Sequence, residues 1–258
     1  MTYLYNAYSD KGRIKKINQD AVFLMEAETD NGNVLFAAIS DGMGGLAKGE
    51  EASARMTRAL SAWFEKTLPN LLYSPAGVTE MTFKRSMQDV IRKTCLEIED
   101  YASGFGGQCG TTLSGILIMG DEWFAVNVGD SRIYLHDGIG IFQITKDQTY
   151  VQREIDAGRM TPKEAETHKM RSILLQCIGA SEVVIPDWHH GYWKKGNSIL
   201  LCSDGFRHKI RSDEMVDMLS ASCFQTDEDI HSTLYELTMS ALDRGERDNV
   251  SSILICRK

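Results

Sequence analysis

Four aspartates stand where apolar runs begin or end: Asp20 opens "DAVFLMEAE", Asp41 closes "VLFAAISD", Asp204 closes "ILLCSD" and Asp248 precedes "NVSSILI". A fifth, Asp130, joins two such runs in "NVGDSR". A strand carries a carboxylate at its end to the rim of the core, and a glycine following it lets a backbone carbonyl or water approach closely. Carboxylates placed this way can converge on hard cations. An all-oxygen donor set without a His or Cys cluster favours Mg²⁺ or Mn²⁺ over Zn²⁺. Taken singly, each aspartate has an ordinary explanation, because Asp-Gly is a common turn and an aspartate before a strand a common cap. The recurrence at several strand ends carries the argument.

The elements that must hold these residues follow from periodicity. "AVFLMEAE" and "VLFAAIS" flank "TDNGN", "TTLSGILIM" and "EWFAVNVGD" flank a Gly-Asp turn, and "SRIYL" and "IGIFQIT" flank "HDG". Residues 112–145 therefore read as an antiparallel meander. "NSILLCSDG" and "NVSSILICR" add two late strands. Residues 46–66 and 82–101 show apolar spacings of three and four, the mark of long amphipathic helices. Shorter helices are expected at 147–157, 162–168, 212–220 and 226–243. Antiparallel strands with helices grouped apart imply an α+β fold. No internal repeat is visible.

At 258 residues, with 43% hydrophobic and 25% charged side chains, the chain suits one large domain. The opening "MTYLYNAYSDKGR" lacks the apolar core of a signal peptide, and no apolar run approaches the roughly 18 residues of a membrane span. The expectation is a cytoplasmic protein without membrane contact. Six scattered cysteines without a CxxC pair read as buried reduced thiols. A net charge of −8 and the lack of a basic block argue against nucleic acid as partner.

"SDGMGGLAKG" also fits a dinucleotide loop loosely, through Gly42, Gly44 and Ala47. A long helix follows, however, without the second strand ending in an acid about 20 residues on. No GxxxxGK[ST] occurs, and "CSDGFR" places four residues between Cys202 and Arg207 where a cysteine-phosphatase loop has five. His189 and His190 in "DWHHGYW" read as surface or interface residues.

In order along the chain, "SDKGRIKKINQD", "SDGMGG", "GTTLSGILI", "NVGDSRIYL", "LLCSDG" and "RDNVS" resemble the motifs of the metal-dependent protein phosphatases, the PPM or type 2C protein serine/threonine phosphatases, most closely their compact bacterial members. The resemblance runs from Ser9 to about Ile255. It implies a four-layer αββα sandwich, two mainly antiparallel sheets with flanking helices, as a single domain over residues 1–258. It also implies hydrolysis of phosphoserine and phosphothreonine in proteins by attack of metal-activated water. Asp20, Asp41, Asp204 and Asp248 match the carboxylates that hold two Mn²⁺ or Mg²⁺ ions, with the carbonyl of Gly42 as backbone ligand. Gln19 matches a residue beside metal-bound water, Asn249 supports the final motif's turn, and Asp130 with Asp204 matches a third, weaker metal site.

The match departs from the family at several positions. Lys15 stands where the family has the arginine that contacts substrate phosphate, with Arg13 and Lys16 as nearby substitutes. Lysine supplies charge without the bidentate fork. Gln148 replaces a usual His, and Met43 sits where many eukaryotic members have a histidine proposed as general acid. Residues 146–180 resemble the family's mobile flap, in which Arg171 is a candidate substrate contact. The expected partners are phosphoproteins made by a bacterial serine/threonine kinase, and the expected state is a monomer. Alternatives are a phosphatase dedicated to one regulator and a catalytically weak binding protein on the same scaffold.

Overall fold

The structure is a computed structural model and describes residues 3–30, 32–43 and 48–258. The first half runs β1 (Tyr3–Asp10), β2 (Asp20–Thr29), β3 (Gly32–Asp41), α1 (Gly49–Lys66), α2 (Leu68–Leu72), α3 (Glu80–Ser103), β4 (Leu113–Met119) and β5 (Glu122–Val128). The second half runs β6 (Arg132–His136), β7 (Ile141–Gln143), α4 (Tyr150–Asp156), α5 (Pro162–Thr167), β8 (Asp187–Tyr192), β9 (Ser198–Cys202), α6 (Asp204–Arg207), α7 (Ser212–Met218), α8 (Asp227–Asp243) and β10 (Val250–Arg257). Two antiparallel five-stranded sheets result, in the orders β1-β10-β9-β6-β7 and β2-β3-β4-β5-β8.

The sandwich is the one that the resemblance implies. Val34, Phe36 and Ala38 of β3 pack toward α1 and α3, while Leu35, Ala37 and Ile39 pack toward the opposite sheet. In β10, Leu254 and Cys256 face the layer of α6–α8, and Ile253 and Ile255 face inward. These central strands read as continuous apolar runs because both faces are covered. α1 buries Ala52, Met56, Leu60 and Trp63, and α3 buries Phe83, Met87, Ile91 and Ile98. Trp63 and Phe83 meet edge to face at 6.0 Å. α3 and α8 each start on a capping box, from Thr79 and Thr226. No described helix is long and apolar enough to cross a membrane.

Three features correct or extend the sequence reading. The meander over 112–145 is split, because β4 pairs with β5 and β6 with β7, but β5 and β6 belong to different sheets. Gly129, at φ +103°, turns the chain from one sheet to the other, and a Cβ there would stand 2.6 Å from Thr112 Cγ2. Alternation marks strands and faces; it does not specify which strand lies next door. The free side of β5 is taken by β8, whose "DWHHGY" has no apolar alternation to betray it. β1 likewise pairs with β10 along its whole length, from Tyr3–Arg257 to Asp10–Val250. The start of the helix expected from residue 46 lies outside the described residues; α1 is described from Gly49.

Candidate metal centre

At one end of the sandwich, strand ends from both sheets meet. Asp20, first in β2, and Asp41, last in β3, are direct cross-strand partners. Asp204 follows β9 at the start of α6, and Asp248 lies two residues before β10. Ser203 Oγ donates to Asp20 Oδ2 at 2.9 Å and so ties the two sheets together. Asp41, Asp130, Asp204, Asp248, Gly42 and Lys15 line one cavity of about 550 Å³. Asp20 lies just behind them, its Oδ1 buried and without a hydrogen-bond partner.

The local backbone is fixed around each carboxylate. Asp41 N–H donates to Thr112 Oγ1 at 2.9 Å, and its carbonyl accepts from Thr111 Oγ1 at 3.1 Å and from Thr112 N at 2.9 Å. Gly42 donates to the carbonyl of Gln19 at 3.0 Å. A Cβ on Gly42 would come within 2.6 Å of that same oxygen, and nearer still to the carbonyl of Gly49. Only glycine fits this cradle. Asn249 closes the loop between β1 and β2: its Nδ2 donates to the carbonyls of Lys11 (2.8 Å) and Ile17 (3.1 Å), and its Oδ1 accepts from Gln19 N (3.0 Å). Gln19 turns its side chain to Glu50 of α1, at 3.1 Å. Gly44 and Ala47 of the dinucleotide-like spacing, and Gly45 of the second motif, lie outside the described residues.

Electrostatics suit this cluster to cations. Burial raises the carboxyl of Asp20 to about 6, with Asp248 adding to it and the Ser251 and Ser203 hydroxyls partly offsetting it. Burial and the charge of Asp204 raise Asp130 to about 7. Asp41 is driven well above the usual carboxylate range by burial and then by Asp20, Asp204, Asp130 and Asp248. Burial also raises Asp204. Packed anions that resist ionisation and an orphaned carboxylate oxygen are what hard divalent cations satisfy, so the residues fit such ions. Among the described residues the carboxylates are not drawn into a closed cage of three or more ligands. Instead each outer one leans on a cation: Lys15 Nζ lies 2.6 Å from Asp248 Oδ1, and Arg207 Nη2 lies 3.4 Å from Asp130 Oδ2.

Lys15 is held charged, since the pull of burial is outweighed by its bond to Asp248 and the fields of Asp248, Asp41 and Asp204. Arg13 points elsewhere and pairs with Asp243 at the end of α8. Sequence reasoning missed a buried network beside the centre. Arg132 grips Asp147 with two bonds of 2.7 Å, and Arg207 stands 3.4 Å from Asp147 as well as from Asp130. His208 lies 3.7 Å from Asp204 and 3.5 Å from Glu246. Arg207 lies in "CSDGFR", whose spacing excludes a cysteine-phosphatase loop and carries no sign of these pairings. Gln148 bridges two elements, accepting from Gly129 N at 2.8 Å and donating to Asp187 at 2.9 Å. Residues 146–180 leave and return beside the centre, tied at the base by Tyr150 N–H to the Ile173 carbonyl and by Ile178 to Thr111.

Comparison with known proteins agrees with this geometry. The family model described as Protein phosphatase 2C matches residues 13–243. The chain is 31% identical over 251 residues to a serine/threonine phosphatase, stp, of Listeria welshimeri, covering 96% of this chain and 94% of that one. It is 30% identical over 250 residues to the serine/threonine protein phosphatase PstP of Mycobacterium tuberculosis, covering 97% of this chain but only 44% of the relative's length. The crystal structure of a PstP catalytic domain in complex with 2 manganese ions superposes with a TM-score of 0.77 at 30% identity, over 98% of this chain and 97% of that one.

Proposed function

The chain belongs to the protein phosphatase 2C family, and on that footing we propose that it is a metal-dependent phosphatase of phosphoserine and phosphothreonine in proteins. The observation that carries the reading is the convergence, from two sheets, of Asp20, Asp41, Asp204 and Asp248 around a cavity open to a phosphate group. These four side chains and the Gly42 carbonyl would hold two ions. Mn²⁺ or Mg²⁺ suits the oxygen donors, and the manganese in the related catalytic domain supports Mn²⁺. Asp130, beside Asp204, would hold a third and weaker one. When bound, such ions neutralise the carboxylates and make water acidic enough to act as nucleophile near neutral pH.

The chain's own residues do the rest. Lys15 gives the entering phosphate a positive charge beside Asp248. Ser203 fixes the Asp20 carboxylate, and the Thr111–Thr112 pair fixes the main chain at Asp41. Phosphoryl transfer asks chiefly for such positioning and charge stabilisation. Residues 146–180 form a flap subdomain whose returning segment edges the cavity through Ser172, Leu174 and Gln176. The substrates would be phosphoproteins of a serine/threonine kinase. The cysteines, all free among the described residues, suit a reducing compartment, and we place the protein in the cytoplasm as a monomer.

The test is hydrolysis of phosphothreonine peptides with Mn²⁺, with excess chelator, and by Asp204→Ala, each with thermal unfolding to show an intact fold. Turnover is expected only for wild type with Mn²⁺. A folded, Mn²⁺-loaded wild type that leaves several phosphopeptides untouched would sink the reading.

A further inference from the structure

A second and larger cavity, about 960 Å³, adjoins the metal centre. Asp130 and Ser172 line both, so the two lie side by side and share part of their wall. Residues of α4 and α5 make one wall, and residues 207–212 and 245–247 make the other.

Its charge balance is unlike that of the rest of the molecule. Arg132 is taken up by Asp147, and Arg211 by Asp213. Arg171, Lys209 and Arg247 line the same cavity and make no ion pair among the described residues. Arg207 Nε is buried there without a hydrogen-bond partner. Of the carboxylates in the wall, Asp130 and Asp147 face Arg207, and Glu246 faces His208 and the backbone N–H groups of Arg247 and Asp248. Glu166 is left as the one acid without a partner among the described residues of the lining. Three cations without counter-ions against one such acid, in a chain of net charge −8, mark a local receptor for anions. The volume lies near the top of the range of about 300–1,000 Å³ for ligand pockets, more than a single phosphate fills. Arg171 and Arg247 offer forks that match phosphate or carboxylate, and Lys209 a point charge.

We propose that this cleft receives a second anionic side chain, phosphate or carboxylate, of the same polypeptide whose phosphothreonine or phosphoserine enters the metal centre. The inference rests on the phosphatase reading of that centre. The preferred substrates are thus phosphoproteins with acidic residues or a second phosphate a few positions from the scissile one.

The experiment compares four phosphothreonine peptides of one length: neutral flanks, aspartates close to the phosphothreonine, a second phosphoserine in that place, and the same aspartates moved to the far end. The close-anion peptides are expected to exceed the neutral one in kcat/KM by about tenfold, mostly through KM, with the far-aspartate peptide near the neutral one. A gain with both close anions, or with phosphoserine alone, supports the site and identifies the anion. The close-to-neutral ratio should fall toward one in Lys209→Ala/Arg247→Ala and, from the opposite wall, in Arg171→Ala. Equal turnover of neutral and close-anion peptides overturns the cleft while leaving the phosphatase intact; so does a gain shared by the far-aspartate peptide or one that survives in every variant. If no peptide is turned over, the phosphatase reading fails. Fluorescence anisotropy with chelated protein then decides the cleft, which stands only if close-anion peptides bind more tightly than the neutral one.

Discussion

Lys15 pairs with Asp248 and, on the proposed reading, would also meet the incoming phosphate, and the two roles respond oppositely to its removal. In Lys15→Ala the phosphate loses a positive charge, while Asp248 loses a competitor to the cation. The pair is partly exposed, with side chains 31% and 41% accessible, so its own worth is at most about 1 kcal/mol, a few-fold in binding. We predict that KM for a phosphothreonine peptide rises about tenfold while Mn²⁺ binds a few-fold more tightly by calorimetry. Lys15→Arg should lower KM instead, because a fork replaces a point charge. Mn²⁺ affinity that falls in Lys15→Ala would show that the lysine is not competing for Asp248. The aspartates were legible because strand ends are legible. Arg207, Asp147 and His208 were not, because their meeting depends on how the segment after β7 folds back on α6, which no local spacing records.

Asn249 works at the scale of elements. The residue is 3% exposed, and its side chain holds the loop between β1 and β2 against the entry to β10 through three hydrogen bonds. Gly12 in that loop, at φ +72°, presses so close to Asp248 that a Cβ would stand 2.5 Å from its carbonyl oxygen. Asn249→Ala leaves two carbonyls and one N–H to find other partners and should cost about 2–3 kcal/mol in urea unfolding. It should also weaken Mn²⁺ binding, because Asp20 stands where the fastened loop enters β2 and Asp248 directly precedes the Asn249 that fastens it; full Mn²⁺ affinity in the variant would mean that the loop does not set their register. Long helices such as α3 and α8 were readable from apolar spacing, and β3, β4 and β10 from unbroken apolar runs. β1 and β8 were not, since "YLYNAYSD" and "DWHHGY" are half-exposed edge strands whose polar residues need no alternation. Nor could spacing reveal that Gly129 hands the chain from one sheet to the other.

At the scale of the whole molecule, the fold gathers anions where it cannot solvate them, and the consequence is a specific pH dependence. Asp20 at about 6, Asp130 at about 7, and Asp41 and Asp204 both raised hold protons in the metal-free folded state that the unfolded chain, with carboxyls near 3.8, has already released. Between about pH 4 and 7 these aspartates keep more protons bound in the folded state, so their contribution to stability falls as pH rises through that window; the single His189, lowered by burial, opposes them below 6.5. Carboxylates drawn down by arginines, such as Glu214 at about 2, act in the opposite sense, but their contribution is lost only as pH falls below about 4.5. Chelated protein should thus have a lower Tm at pH 8 than at pH 5.5, and Asp130→Asn should flatten the slope. Saturating Mn²⁺ reverses the balance, because its ligands must be deprotonated. At 100 times Kd each ion adds about 2.7 kcal/mol, roughly 5–10 °C in Tm for a chain of this size. The gap between Mn²⁺-loaded and chelated protein should accordingly widen from pH 5.5 to pH 8. A gap that stays constant, or a chelated protein that gains stability over the same range, would mean that the buried aspartates are not the groups that the fold strains to keep together.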